Sequence, residues 1–182
     1  MIFFEKTDRI GLRSLESEDI AGNYIKWFND SEVCYFNSHH RFMKSKEELR
    51  AYIDDVNKDR NTLVFAIVDI ESGFHIGNIS LQEINYIDRS AELAFLVGEK
   101  EFWGKGYAAE AAEILIRHAF SELNLHRLYL GTADNNIRMQ KLAEKLGFVQ
   151  EGRRKDALYK HGKYHDIIEY GMIDSRGDSN EK

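Results

Sequence analysis

The hydrophobic positions change period along the chain, and each change marks an element. Residues 9–15 alternate, with Ile10 and Leu12 on one side, which predicts a strand. Ile20, Tyr24, Trp27 and Phe28 then recur at helical spacing. Glu18 and Asp19 fall in the first turn of that helix, where carboxylates offset its dipole. Ser45 followed by Glu48 is a capping box, so a second helix starts behind it with Leu49, Tyr52, Ile53 and Val56 as its stripe. Residues 63–70 are β-branched and apolar and predict a buried strand, Gly73 marks a turn, and 75–84 and 91–98 continue as meander strands.

The helical period returns over residues 107–123, with alanines at the start and Leu115, Ala119, Phe120 and Leu123 further on. Residues 126–133 read as a strand. Asp134 or Asn135 can cap the next helix, whose stripe is Met139, Leu142, Ala143 and Leu146, and Gly147 ends it. Residues 148–153 and 164–173 predict two closing strands, with a turn at His161, Gly162 and Lys163. This order predicts an α/β domain of mixed α+β type over residues 1–173, a mixed sheet with helices on both faces. Residues 174–182 carry no large apolar side chain and read as a flexible tail.

Composition narrows the function classes. The 182 residues carry 25 Lys and Arg against 31 Asp and Glu, a net charge of −6, which argues against a nucleic-acid partner. The longest apolar run, residues 63–68, is far short of the about 18 residues that a membrane span needs. The segment MIFFEKTDR does not read as a secretory leader, so the expected location is the cytoplasm. Cys34 is the single cysteine, which excludes an internal disulfide and a cysteine-cluster metal site. A lone cysteine of this kind reads as a small core residue rather than a nucleophile. His39, His40, His161 and His165 have no matching carboxylate or cysteine cluster, so no metal is expected. There is no proline, so helix starts must rely on Ser, Asp and Asn caps.

The stretch that carries chemistry is residues 99–110. A strand ends near Val97, and a short loop follows with Gly104 and Gly106 one residue apart. A helix opens at Tyr107, with Ala108 and Ala109 keeping its first turn slim. Glycines let backbone N–H groups converge on a ligand, and a helix start adds unsatisfied N–H groups and partial positive charge. Together they make a phosphate site, to which Lys105 adds a full charge. The plain alternative is a tight loop that needs glycine only for its turn. GKGYAA also fits the dinucleotide pattern G-x-G-x-x-A. However, six residues separate Val97 from Gly104, and the remaining chain is short for two mononucleotide-binding halves.

Two motifs here resemble those of the GNAT superfamily of acyl-CoA-dependent N-acyltransferases. The family's R/Q-x-x-G-x-G/A is matched at Gly104 and Gly106, with Glu101 in place of the basic or amide residue. Its N-x-x-S-x-x-x-x-E-K-x-G-F is matched at Asn136, Glu144, Lys145, Gly147 and Phe148, with Met139 in place of serine. The resemblance covers almost the whole chain and is closest to the branch of ribosomal-protein N-terminal and spermidine acetyltransferases. It implies a twisted, mostly antiparallel sheet that splays where the strand at 91–98 meets the strand at 126–133.

The resemblance further implies that acetyl-CoA is the cosubstrate. Its pantetheine arm would pair with the backbone of Phe95, Leu96 and Val97. Its pyrophosphate would lie on Trp103, Gly104, Lys105, Gly106, Tyr107 and Ala108, with Asn136 facing the arm. The acceptor implied is a primary amine, on an amino sugar, a polyamine or a protein N-terminus, attacking the thioester directly. An alkylammonium has a pKa near about 10.4, so a base must take its proton. Glu92 is the candidate, the plain alternative being an ion pair with Arg89 or Arg127. A backbone N–H near Leu96 would stabilise the oxyanion. The tyrosine that serves as acid in spermidine acetyltransferases is replaced by Ala143, leaving Tyr129, Tyr159 or water. Relatives range from monomers to rings, so a homo-oligomer is open. The rival readings are a catalytically silent acyl-CoA-binding module and a dinucleotide-dependent oxidoreductase.

Overall fold

The computed structural model describes residues 1–175. One eight-stranded sheet has the order β1-β2-β3-β4-β5-β6-β8-β7. Its strands are β1 (Glu5–Lys6), β2 (Ile10–Ser14), β3 (Leu63–Asp69), β4 (His75–Asn85), β5 (Ser90–Val97), β6 (Arg127–Ala133), β7 (Val149–Lys160) and β8 (Lys163–Ile173). Every neighbouring pair is antiparallel except β5 and β6, which are parallel. A dinucleotide fold would need a largely parallel sheet, so the oxidoreductase reading fails on topology. Among the described residues four α-helices complete the fold: α1 (Tyr24–Phe28), α2 (Lys46–Val56), α3 (Tyr107–Ser121) and α4 (Ile137–Lys145). Among the described residues no helix is long and apolar enough to cross a membrane. Most of the segment read as a tail, residues 176–182, lies outside the described residues.

The core divides by sheet face, as strand alternation requires. Ile67, Ile79, Leu81 and Leu93 point to α3 and meet Ala112 and Leu115. Leu15, Val64, Ala66 and Val68 point the other way and meet Trp27 of α1 and Leu49, Ile53 and Val56 of α2. The capping box forms as read: Ser45 accepts from Glu48 N–H, and Glu48 accepts from Ser45 N–H. Tyr52, expected in the α2 stripe, is 41% exposed, because the stripe is already filled by its three aliphatic members. The first helical segment is two pieces, a 3-10 helix at Ser17–Ala21 and then α1, interrupted at Gly22. The α4 cap is Asn136 rather than Asp134 or Asn135, with Oδ1 accepting from Met139 N–H at 3.4 Å.

One buried ion pair fixes the 3-10 helix to the sheet. Arg13 on β2 donates twice to Asp19, at 2.8 and 2.6 Å, and His75 Nδ1 lies 3.1 Å from the same carboxylate. Burial alone would raise the Asp19 pKa, but the bonds from Arg13, His75 and the Glu16 N–H outweigh it and hold the group far below the usual carboxylate range. A depressed carboxylate contributes stability above its unfolded pKa of about 4 and loses it as pH falls toward the folded value. Asp19→Asn leaves the buried Arg13 with only the half-exposed Glu16 carboxylate at 3.9 Å, so it is expected to cost about 3 kcal/mol. It should also flatten the acid limb of a urea-denaturation series, and an unchanged acid limb would show that the pair contributes nothing.

Candidate active site

The site begins where two strands part. β5 pairs with β6 at only three positions, Ser90 with Arg127, Ala91 with Leu128 and Glu92 with Tyr129. Beyond Glu92, β5 continues to Val97 and β6 to Ala133 with no pairing between them. On its other side β5 stays bonded to β4, where Gly98 N–H donates to Ile76 O at 2.9 Å. Strand alternation then turns the backbone groups of Leu96 toward β4 and those of Phe95 and Val97 toward the gap. The Val97 carbonyl is already used, accepting from the Trp103 indole N–H at 2.8 Å. Of the three expected pantetheine partners, Phe95 and the Val97 N–H therefore face the gap, while Leu96 faces the β4 ladder.

The loop after β5 is built for backbone approach. Gly104 and Gly106 have φ of +72° and +88°, the left-handed region that favours glycine. A Cβ at either would meet no protein atom within 4 Å, so the space above the loop is open. The loop is pinned from behind. Arg9 donates to Lys105 O at 2.9 Å and lies over the Tyr107 ring, and Tyr107 OH donates to Asp69 at 2.9 Å. Those anchors come from the residue just before β2 and the last residue of β3, and no motif pointed to Arg9 or Asp69. Gly106 is the N-cap of α3, so the first-turn N–H groups of that helix point into the open space. Lys105 stands beside it, its ammonium 5.8 Å from the Phe102 ring. Asn136 is engaged within the protein, capping α4 and donating to Thr132 Oγ1 at 3.1 Å.

Glu92 stands at the fork itself. The expected ion pairs with Arg89 and Arg127 are not formed. Arg89 binds Asn124, and Arg127 binds Glu151. Burial pushes the Glu92 pKa up, the like charge of Glu83 adds to the rise, and Arg154 opposes it. Glu83 reaches this position because the β4–β5 register shifts between Gln82 and Asn85, and Glu83 takes φ of +51° in that irregularity. Tyr129, across the fork, donates its OH to Glu83 at 3.1 Å. Its pKa is pushed up to about 12, by burial first and then by Glu83. Cys34 is fully buried with Sγ 3.1 Å from Trp27 O, and burial raises its pKa, so it has no role as a nucleophile here.

A family model, the acetyltransferase (GNAT) domain, matches residues 9–149. The chain belongs to the GNAT acetyltransferase family. This acetyltransferase is 31% identical over 170 residues to a spermidine N(1)-acetyltransferase of Vibrio cholerae, covering 92% of this chain and 95% of that one. A Bacillus subtilis protein provisionally named ribosomal N-acetyltransferase YdaF is 37% identical over 97 residues, covering 53% of this chain and 52% of that one. Among solved structures, the Vibrio cholerae spermidine N-acetyltransferase in complex with CoA and spermine superposes with a TM-score of 0.82 at 28% identity, covering 92% of this chain and 96% of that one. A dodecameric structure of the same enzyme gives a TM-score of 0.79, also at 28% identity, covering 97% and 100%.

This GNAT acetyltransferase therefore transfers an acetyl group from acetyl-CoA to an amine. The residues present fit acetyl-CoA on two counts. An open loop with two left-handed glycines and a helix N-terminus suits a pyrophosphate. The Phe95 backbone and the Val97 N–H, which face the gap beyond the last β5–β6 pair, suit the amide-bearing pantetheine arm. The loop would hold the phosphates through N–H groups near Gly104 to Ala108, because Glu101 in the motif's first position offers none of the usual positive charge.

Proposed function

We propose that Glu92 is the general base and that the acceptor is a primary amine attacking the thioester directly. The observation that carries this reading is the placement of a carboxylate of raised pKa at the point where β5 and β6 part. A base poised closer to neutrality takes a proton from an ammonium more readily than an ordinary carboxylate does. Glu92 alternates with Leu93, which packs toward α3, so Glu92 faces the α1 and α2 side of the sheet. The amine approaches from that side, while the glycine loop and α3 receive acetyl-CoA from the other. The acceptor is a small-molecule amine or a protein N-terminus. The Phe95 and Val97 N–H groups are the donors available to a developing oxyanion. Ala143 is wholly buried on α4, so no acid stands at that motif position, and Tyr129 keeps its proton on Glu83.

The use of acetyl-CoA supports a cytoplasmic location, and the dodecameric relative supports a homo-oligomer. Direct attack requires both substrates on the enzyme together. Initial rates of thiol release should therefore give intersecting double-reciprocal lines when acetyl-CoA and amine are varied. Parallel lines would mean an acetyl-enzyme and would overturn the reading.

A further inference from the structure

The glycines that open the loop after β5 also leave it free to flip. Gly106 takes φ of +88° and ψ of −1°, the values of the third residue of a type II turn. Rotating the peptide between Lys105 and Gly106 by half a turn gives the type I values instead, and glycine accommodates both. The two arrangements differ in what they offer an anion. A trans peptide is planar, with its C=O and N–H pointing opposite ways. Whichever side the Lys105 carbonyl takes, the Gly106 N–H takes the other. A loop that receives a pyrophosphate therefore needs its Lys105 carbonyl held on the far side.

Arg9 holds it there. Its Nη2 donates to Lys105 O at 2.9 Å, across ninety-six positions of sequence. Nη1 lies 3.4 Å from the Glu110 carboxylate, in the first turn of α3, and Thr7 Oγ1 donates to the other oxygen of that carboxylate. The guanidinium carbon stands 4.5 Å from the centre of the Tyr107 ring, and Tyr107 OH is tied to Asp69 at 2.9 Å. The rigid plane of the guanidinium thus braces a carbonyl outside the helix against a carboxylate within it. Glu110 offsets the charge of Arg9, so the effect of Arg9 on an anion at the loop is directional rather than Coulombic.

We propose that Arg9 is a positioning residue for acetyl-CoA: through the Lys105 carbonyl it locks the Lys105–Gly106 peptide so that the Gly106 N–H faces the pyrophosphate. The proposal rests on the reading of the loop as the acetyl-CoA site and adds a residue that does not itself touch the cosubstrate. Glu101 in the motif's first position supplies no cation, which leaves the orientation of the backbone donors to set the affinity. The Arg9 side chain is 49% exposed, so replacing it opens no cavity in the core. Methionine keeps an unbranched stem over Tyr107 and removes the donors. Freed of that bond, the peptide populates both arrangements, and apparent affinity falls by the fraction that remains competent.

The test is calorimetry with CoA and with dephospho-CoA, which lacks the 3′-phosphate but keeps the pyrophosphate. Arg9→Met should weaken both about tenfold, the worth of the one charge-assisted bond that selects the peptide orientation. In thiol release, KM for acetyl-CoA should rise by a similar factor while kcat and the KM for the amine hold. With S-acetylpantetheine, which has no pyrophosphate, kcat/KM should match the parent. Arg9→Lys keeps a charge and a donor but cannot reach carbonyl and carboxylate together, so its loss should be smaller and follow the same pattern. Equal CoA affinity in Arg9→Met would overturn the proposal. So would a loss seen with CoA and absent with dephospho-CoA, because Arg9 would then be a direct ligand of the 3′-phosphate. An equal fall with S-acetylpantetheine would also overturn it, since that reports a general disturbance of the site. Failure of the acetyl-CoA reading looks different: no calorimetric signal from CoA with the parent enzyme.

Discussion

Glu92→Gln is expected to lower kcat by about 100-fold, the lower range for removing a positioned base. Acetyl-CoA affinity should hold, because the loop at Gly104 to Ala108 is a separate piece of structure. The melting temperature should stay level or rise. Burial and Glu83 push the Glu92 pKa up, so its ionised form weakens the fold above the unfolded carboxylate pKa. The neutral amide relieves that cost. Loss of rate with gained stability is the signature of a catalytic group, whereas a structural ion-pair member would lose both. In the parent enzyme, kcat should fall as pH drops through the raised Glu92 pKa and the base is protonated. The variant should lack that limb. Thiol-release assays at several pH values with matched melting curves decide it, and an unchanged kcat would remove Glu92 from the chemistry.

Gly104→Val should abolish tight acetyl-CoA binding, by about 100-fold or more, while leaving a folded protein. The φ of +72° is a rare conformation for any side-chain-bearing residue and an outlier for a β-branched one. Left-handed backbone costs an L-residue about 1–2 kcal/mol, so the melting point should fall by several degrees. Nothing in the protein obstructs the new side chain, since a Cβ there has no neighbour within 4 Å. What it fills is the space the pyrophosphate needs. Calorimetry with acetyl-CoA measures the loss directly. Retained affinity alongside the expected drop in melting temperature would mean that the glycines serve the turn alone.

The order of elements was legible because periodicity reports which side of each segment is buried, and six of the eight strands bury at least one residue in a core. Two features left no such trace. β1 is only two residues long, too short for a period. β7 was read as ending at Arg153, yet it runs to Lys160, because its outer half is almost wholly exposed and carries no alternation. The cofactor loop was readable because its demands are local, a left-handed glycine and a helix start. The surroundings of Glu92 were not, since the Glu83 irregularity, Tyr129 and Arg154 converge on it from three other strands. Sequence proximity suggested Arg89 as a partner for Glu92, but the chain places Arg89 against Asn124 instead. The contacts between the α1–α2 segment and the β7–β8 hairpin join residues more than a hundred positions apart, so no local pattern could announce them.

The parallel contact of β5 and β6 also divides the molecule mechanically. Strands β1 to β5 form one antiparallel block and β6 to β8 another, and the sheet crosses between them at just three register positions. Folding must first bring these blocks together through the long excursion by way of α3, and the native protein keeps the seam short afterwards. A substrate arm lying against β5 in the gap extends that seam with additional hydrogen bonds. Acetyl-CoA bound there would act as mortar between two half-sheets. Its arrival should slow amide hydrogen exchange across β8 and β7, in strands that the bound molecule does not itself touch.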